Sequence, residues 1–98
     1  MEVDNKITEQ KLNDYIEITS KALKKAKICV PKKTHSYKAA VDIKNMAKNY
    51  LSDSKHFKNK GDYIRSYGAV NYAHGWLDAG ARLGYFDVDH DSTLFTVD

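Results

Sequence analysis

Cysteine occurs once in the 98-residue chain, at Cys29, and proline once, at Pro31. A single cysteine excludes an internal disulfide framework and every cysteine-rich zinc module. A single proline leaves hydrophobic spacing to define the segments. No apolar run approaches the about 20 residues of a membrane span, and the opening MEVDNKITEQK lacks the apolar stretch of a secretory signal. We therefore expect a soluble, cytoplasmic protein. Glycine is confined to residues 61–84, and no acidic residue lies between Glu17 and Asp42.

Charge is present but unevenly placed. The net value of +3 averages a first part, residues 1–60, with 14 Lys against 7 Asp and Glu, and a second, residues 61–98, with 2 Arg against 6 Asp. The length suits one domain over residues 1–98, able to bury a single modest core.

Apolar positions recur at helical spacing in three segments. Leu12, Tyr15, Ile16, Thr19, Leu23 and Ala26 predict a helix over about 8–27, with Thr8 as its N-cap and Lys24, Lys25 and Lys27 near its negative end. Ile28-Cys29-Val30-Pro31 ends it, because the residue before proline is pushed out of the α region. Ala40, Ile43, Ala47, Tyr50, Ser54 and Phe57 predict a second helix over about 37–59, capped by Thr34 or Ser36. Lys60-Gly61-Asp62 is a break in which glycine suits the left-handed turn and Asp62 can cap the next helix.

The third segment, about 62–84, shows an apolar stripe of Tyr63, Tyr67, Val70, Leu77 and Ala81. A second stripe, Gly68, Tyr72, Gly75 and Ala79, lies roughly opposite. Glycines inside a helix cost about 1 kcal/mol each relative to alanine, so close approach of another backbone is expected to offset them. We expect this helix to be covered on two sides. Residues 85–98 have no helical period, but Phe86, Leu94, Phe95 and Val97 are too apolar for a free tail. The expected architecture is all-α: a three-helix up-down-up bundle with an extended C-terminal tail packed back on it.

The string from Tyr72 to Gly84, YAHGWLDAGARLG, lies within Lys60–Gly84. Together with Met46–Ser54 and the terminal Leu94-Phe-Thr-Val97, it resembles a small archaeal family known as domain of unknown function 357. The resemblance implies a short three-helix bundle from an archaeal cytosol, and it implies no reaction.

Three surfaces are candidates for function. Asn71, His74, Asp78 and Arg82 fall along one line of the third helix, where His74 could exchange a proton and Arg82 could present a fork to a carboxylate or phosphate. The plainer account is a helix-stabilising Asp78–Arg82 pair with a hydrogen-bonded His74 at the core boundary. Gly68, Tyr72, Gly75, Trp76 and Ala79 make a candidate interface, since Trp and Tyr anchor contacts and small residues admit a second helix, including that of a homodimer. The plainer account has both rings filling the bundle. Lys21, Lys24, Lys25, Lys27, Lys32, Lys33 and Lys38 could hold a phosphate backbone, weakly and without sequence preference, because arginine and interleaved aromatics are scarce.

No metal, cofactor or catalytic set is expected. His74 and Asp78 offer only two ligands, with His35, His56 and His90 dispersed along the chain. Asp87-Val-Asp89-His-Asp91-Ser92 imitates a calcium loop but has Ser92 where glycine is needed and Asp98 in place of the closing glutamate. Cys29, in an apolar run, is expected to be a buried, inert thiol. The reading is a non-enzymatic protein–protein interaction module. The alternatives are a weak RNA or DNA binder using the lysines, or a small-ligand binder using the polar line.

Overall fold

In the computed structural model, which describes residues 4–95, the order is α1 (Glu9–Lys25), β1 (Lys27–Ile28), α2 (His35–Asn59), α3 (Tyr63–Arg82) and β2 (Phe86–Asp87). The helix starts follow local chemistry. Thr8, Thr34 and Asp62 each accept, through a side-chain oxygen, from the backbone N–H three residues on: Lys11 at 3.2 Å, Tyr37 at 3.1 Å and Arg65 at 3.1 Å. The second helix thus begins on Thr34, not Ser36.

Two helix ends are built alike. Gly61 (φ 78°) and Gly84 (φ 81°) take the left-handed turn, and the next N–H reaches back, Asp62 to the Phe57 carbonyl and Tyr85 to the Gly80 carbonyl, each at 2.9 Å.

The bundle centres on α2 and α3, which run antiparallel. Ser54 Oγ donates to the Ser66 carbonyl and Ser66 Oγ donates to the Ser54 carbonyl, both at 2.7 Å and both residues fully buried. Seven-residue steps away from this pair bring Ala47 level with Ala73, and Ala40 level with Gly80, all buried. Two helices lined with such small residues pack at the short end of the usual 8–10 Å axis separation. Helix α1 lies along α3 in the same direction, Tyr15 meeting Asn71 and Thr19 meeting His74.

The core face of α3 is therefore Ser66, Val70, Ala73, Leu77 and Gly80. Of the expected stripe, Val70 and Leu77 are buried, Tyr63 and Ala81 are half-buried, and Tyr67 is exposed. The physical reason is the close packing of α2, which selects the smallest side chains that a hydrophobicity pattern passes over. Helix α3 is met by α2 on one side and by α1 with the tail on another, but the cover expected over the second stripe is corrected. Gly68, Tyr72, Gly75 and Ala79 are exposed, and a Cβ added at Gly68 or Gly75 would meet nothing within 4 Å. Only Gly80 is closely approached, by the Phe86 ring and not by a backbone.

The tail folds back as expected, with Phe86, Val88 and Phe95 buried against Ala22, Ala26, Ala40 and Leu77. Its first residues pair antiparallel with the α1–α2 connection, Lys27 opposite Asp87 and Ile28 opposite Phe86. Two-residue strands carry no alternation, so the sequence gives no sign of them. Val97 and Asp98 lie outside the described residues. Cys29 is exposed, contrary to expectation, its Sγ donating to the Gly84 carbonyl at 3.2 Å. Alternation along the connection turns Ile28 and Val30 inward and leaves Cys29 outward. No helix among the described residues is long and apolar enough to cross a membrane.

These glycines give a direct test of the packing. Gly68→Ala and Gly75→Ala are expected to stabilise the fold by about 1 kcal/mol each, since the added methyl meets open space and alanine is the better helix former. Gly80→Ala is expected to destabilise it by about 1–3 kcal/mol, because its Cβ falls within 3.0 Å of three Phe86 ring atoms. Urea unfolding of the three variants at low protein concentration measures both signs.

Candidate functional site

The candidate interface residues share the outer face of α3, because Gly68, Tyr72, Gly75 and Ala79 recur at four, three and four. Ile64 (78% exposed) and Leu83 (65%) lie toward its two ends, and Tyr72 (53%) stands near the middle. Tyr72 is braced edge-on from two sides, by Tyr50 of α2 at 4.5 Å between ring centres and by Trp76 at 6.1 Å.

Two shallow grooves flank Tyr72. One, of about 350 Å³, is lined by Asn71, Tyr72, Gly75, Trp76 and Ala79. The other, of about 310 Å³, lies between α2 and α3 among Tyr50, Asp53, Phe57, Arg65, Gly68, Ala69 and Tyr72. Trp76 is half-buried against the core, and its indole N–H is shielded without a hydrogen-bond partner among the described residues. A shielded donor without an acceptor is costly, so some partner for it is worth about 1–3 kcal/mol.

The polar line does not form one pocket. Asn71 accepts at Oδ1 from the Tyr15 hydroxyl at 2.8 Å. His74 joins three elements: Nδ1 lies 2.9 Å from Thr19 Oγ1 on α1, and Nε2 lies 2.8 Å from the Leu94 carbonyl of the tail. A carbonyl only accepts, so Nε2 carries the proton, and in the neutral ring Nδ1 accepts from the Thr19 hydroxyl. Asp78 Oδ2 is 4.0 Å from the same Nε2, and Arg82 is exposed near the end of the helix. Thr19 is the partner that sequence reasoning missed. It was legible only as a polar residue within an apolar stripe, at a position that turns out fully buried.

The lysines meet their own chain's acids. Lys21 pairs with Glu17 at 3.2 Å, Lys25 lies 3.9 Å from Asp91, and Lys27 stands opposite Asp87 in the ladder. Lys24, Lys32, Lys33 and Lys38 are exposed around the α1–α2 connection. Lys44, which the sequence did not single out, donates from Nζ to the Ala26 carbonyl at 2.6 Å and so caps the end of α1.

The tail aspartates shape turns. Asp87 Oδ1 accepts from the Asp89 N–H at 3.0 Å, ahead of two left-handed residues, Asp89 (φ 58°) and His90 (φ 55°). Asp91 Oδ1 accepts from the N–H groups of Thr93 and Leu94, each at 3.1 Å, and from the Thr93 hydroxyl at 2.5 Å. The Thr93 hydroxyl bond, with the two backbone donors and Lys25 nearby, holds the Asp91 carboxyl below its ordinary range. Among the described residues no group of three or more His, Cys, Asp or Glu gathers to hold a metal ion.

Burial pushes the Tyr15 phenol above its ordinary value of 10.0, with repulsion from Tyr67 and Asp78 adding to it. A phenol raised in the folded state contributes stability that is complete below about pH 10 and is lost as pH rises through the folded value. Stability is therefore expected to fall above about pH 10, and less steeply in Tyr15→Phe, as read from urea midpoints across alkaline pH. His74→Ala removes the tie between α1, α3 and the tail. It is expected to lower stability by about 2–4 kcal/mol, through two lost hydrogen bonds and a cavity, and to speed amide exchange at Phe95.

No curated protein and no solved structure matches the chain. A family model, described as a protein of unknown function (DUF357), matches residues 14–86, which takes in α1 from Asp14 onward, all of α2 and α3, and the first residue of β2. That match spans most of the chain and the string from Tyr72 to Gly84 that carries the resemblance, so the protein belongs to the DUF357 family.

Proposed function

We propose that this protein is a non-enzymatic protein–protein interaction module whose contact surface is the outer face of α3. The observation that carries the reading is a concentration of exposed apolar groups. Of the five exposed large hydrophobics among the described residues, Ile64, Tyr67, Tyr72 and Leu83 belong to α3 or its C-cap, and only Ile18 lies elsewhere. Exposed Ile64, Tyr72 and Leu83 along one helix, with Tyr72 braced by two aromatic rings, give the face the character of an interface more than of solvated surface.

The other surfaces support the remaining readings less well. Asn71 and His74 direct hydrogen bonds to their own chain, which leaves little of the polar line for a ligand. Asp87, opposite Lys27 in the ladder, and Asp91, 3.9 Å from Lys25, lower the field of the basic stretch. A cytoplasmic setting, supported by the cysteine-poor composition, and an archaeal one, supported by the family resemblance, are parts of the same reading.

Recovery of the tagged protein with its partners from its own cells tests it. Gly75→Arg, placed where the added side chain meets open space, is expected to reduce partner recovery at least ten-fold while leaving the fold intact. Lys24→Glu with Lys32→Glu is expected to leave recovery unchanged. The reverse pattern would transfer the function to the basic stretch.

A further inference from the structure

We infer that the groove between α2 and α3 is the anchor site for an arginine side chain of a partner protein, whose guanidinium lies on the Tyr50–Tyr72 ring pair and bonds to Asp53. This rests on the reading of the outer α3 face, which Tyr72 and Gly68 share with the groove, as a contact surface. It adds the chemistry that the partner presents there.

The antiparallel register builds the groove in two halves. Phe57 meets Arg65 at one end and Tyr50 meets Tyr72 at the other, so Asp53 falls between them, beside Gly68 and Ala69. In the first half the chain supplies its own cation. The Arg65 guanidinium carbon stands 5.9 Å from the centre of the Phe57 ring, and Arg65 Nε lies 3.5 Å from Asp62. The second half repeats that chemistry with two rings and a carboxylate. Asp53 has no ion-pair partner among the described residues, and Tyr72 is 53% exposed, which leaves ring surface for a cation.

Charge selects the sign of the ligand. Asp53, Asp62 and Arg65 sum to one negative charge, in a chain that is +3 overall. Asp42 stands eleven residues before Asp53, on the same flank of α2, and adds to it. The α2 lysines do not cancel this. Lys44, Lys48, Lys55 and Lys58 recur at four, seven and three residues and form a stripe on the other side of the Ser54 seam, where Lys44 reaches the end of α1. Lys60 stands in the turn beyond Phe57, at the end held by Arg65. A cation is the complement of such a groove.

Shape selects guanidinium over ammonium. The floor beside Asp53 is Gly68, where an added Cβ would meet nothing within 4 Å, and Ala69, so a flat group can lie along it. A guanidinium is planar, stacks on aromatic rings, sheds water more readily than an ammonium and matches a carboxylate with two parallel N–H donors. The volume of about 310 Å³ is at the small end of the roughly 300–1,000 Å³ range of ligand sites, which suits one side chain better than a cofactor.

Titration of the nitrogen-15-labelled full chain with the capped tripeptide acetyl-Gly-Arg-Gly-amide tests the inference. The amide signals of Asp53, Gly68, Ala69 and Tyr72 are expected to shift and saturate, with a Kd in the millimolar range for this single anchor. The corresponding lysine tripeptide is expected to bind at least three-fold more weakly. Asp53→Asn and Tyr72→Leu, each still helical by circular dichroism, are expected to weaken the arginine tripeptide at least three-fold, and Asp42→Asn is expected to leave it unchanged. Equal shifts with the glutamine tripeptide, or no shifts with arginine, would overturn the site. Tighter binding of the glutamate tripeptide would assign the groove to Arg65 and an acidic partner, and would overturn it as well.

Recovery of partners from cells separates this inference from the reading beneath it. Asp53→Lys is expected to reduce recovery at least ten-fold, as Gly75→Arg does. Loss with Gly75→Arg alone would keep the outer face as a contact surface and overturn the arginine anchor. Loss with Asp53→Lys alone would keep the anchor and overturn the outer face of α3 as the contact surface. Loss with neither would overturn both.

Discussion

The structure depends on how closely α2 and α3 approach. Ser54 and Ser66 exchange hydrogen bonds with each other's carbonyls in the buried seam, and Ala47, Ala73, Ala40 and Gly80 continue it at seven-residue steps. Each serine satisfies its own hydroxyl without leaving the seam, so polar atoms are buried there without an unmet donor. A leucine at Ala40, Ala47 or Ala73 would force the helices apart, and the register set by the serines would be lost with it.

Close packing at the seam decides what the other side of α3 looks like. With Ser66, Ala73 and Gly80 turned inward, Ile64, Gly68, Tyr72, Gly75 and Ala79 must turn outward, because a helix has one rotation for all its residues. Helix α1 and the tail occupy the other flank, tied there by His74 between Thr19 and Leu94. The outer face is then left to whatever meets the molecule. The glycines there lower the intrinsic helix propensity of α3 by about 1 kcal/mol each with no offset from their own chain. Surface that costs stability inside the monomer is consistent with a use outside it.

The polar constellation illustrates how one residue set can be read two ways. On a helical projection Asn71, His74, Asp78 and Arg82 form a line, which suits either a site or a structural stripe. Position along the helix could not separate these. What separates them is the identity of the residues across the gap, Tyr15 and Thr19 on α1 and the Leu94 carbonyl on the tail, each distant in sequence. Similarly, the opposition of a lysine-rich first part to an acidic second part is visible in the sequence. That Lys25 comes within 3.9 Å of Asp91 and Lys27 stands opposite Asp87 follows from the tail folding back on the α1–α2 connection.

By itself the sequence determined the local features. Three helices, their Thr8, Thr34 and Asp62 caps, the Gly61 turn and the need for an apolar tail to fold back all derive from residue type and spacing over a few positions, because capping and amphipathicity are short-range physics. The family string from Tyr72 to Gly84 was legible as well. The tertiary structure alone decided which face of α3 is core, that Gly80 makes room for the Phe86 ring while Gly68 and Gly75 make room for nothing of their own chain, and that Cys29 faces outward. Hydrophobicity ranks side chains by their affinity for a core. The α2–α3 seam selects them by size, and size matters only once a second helix is in place.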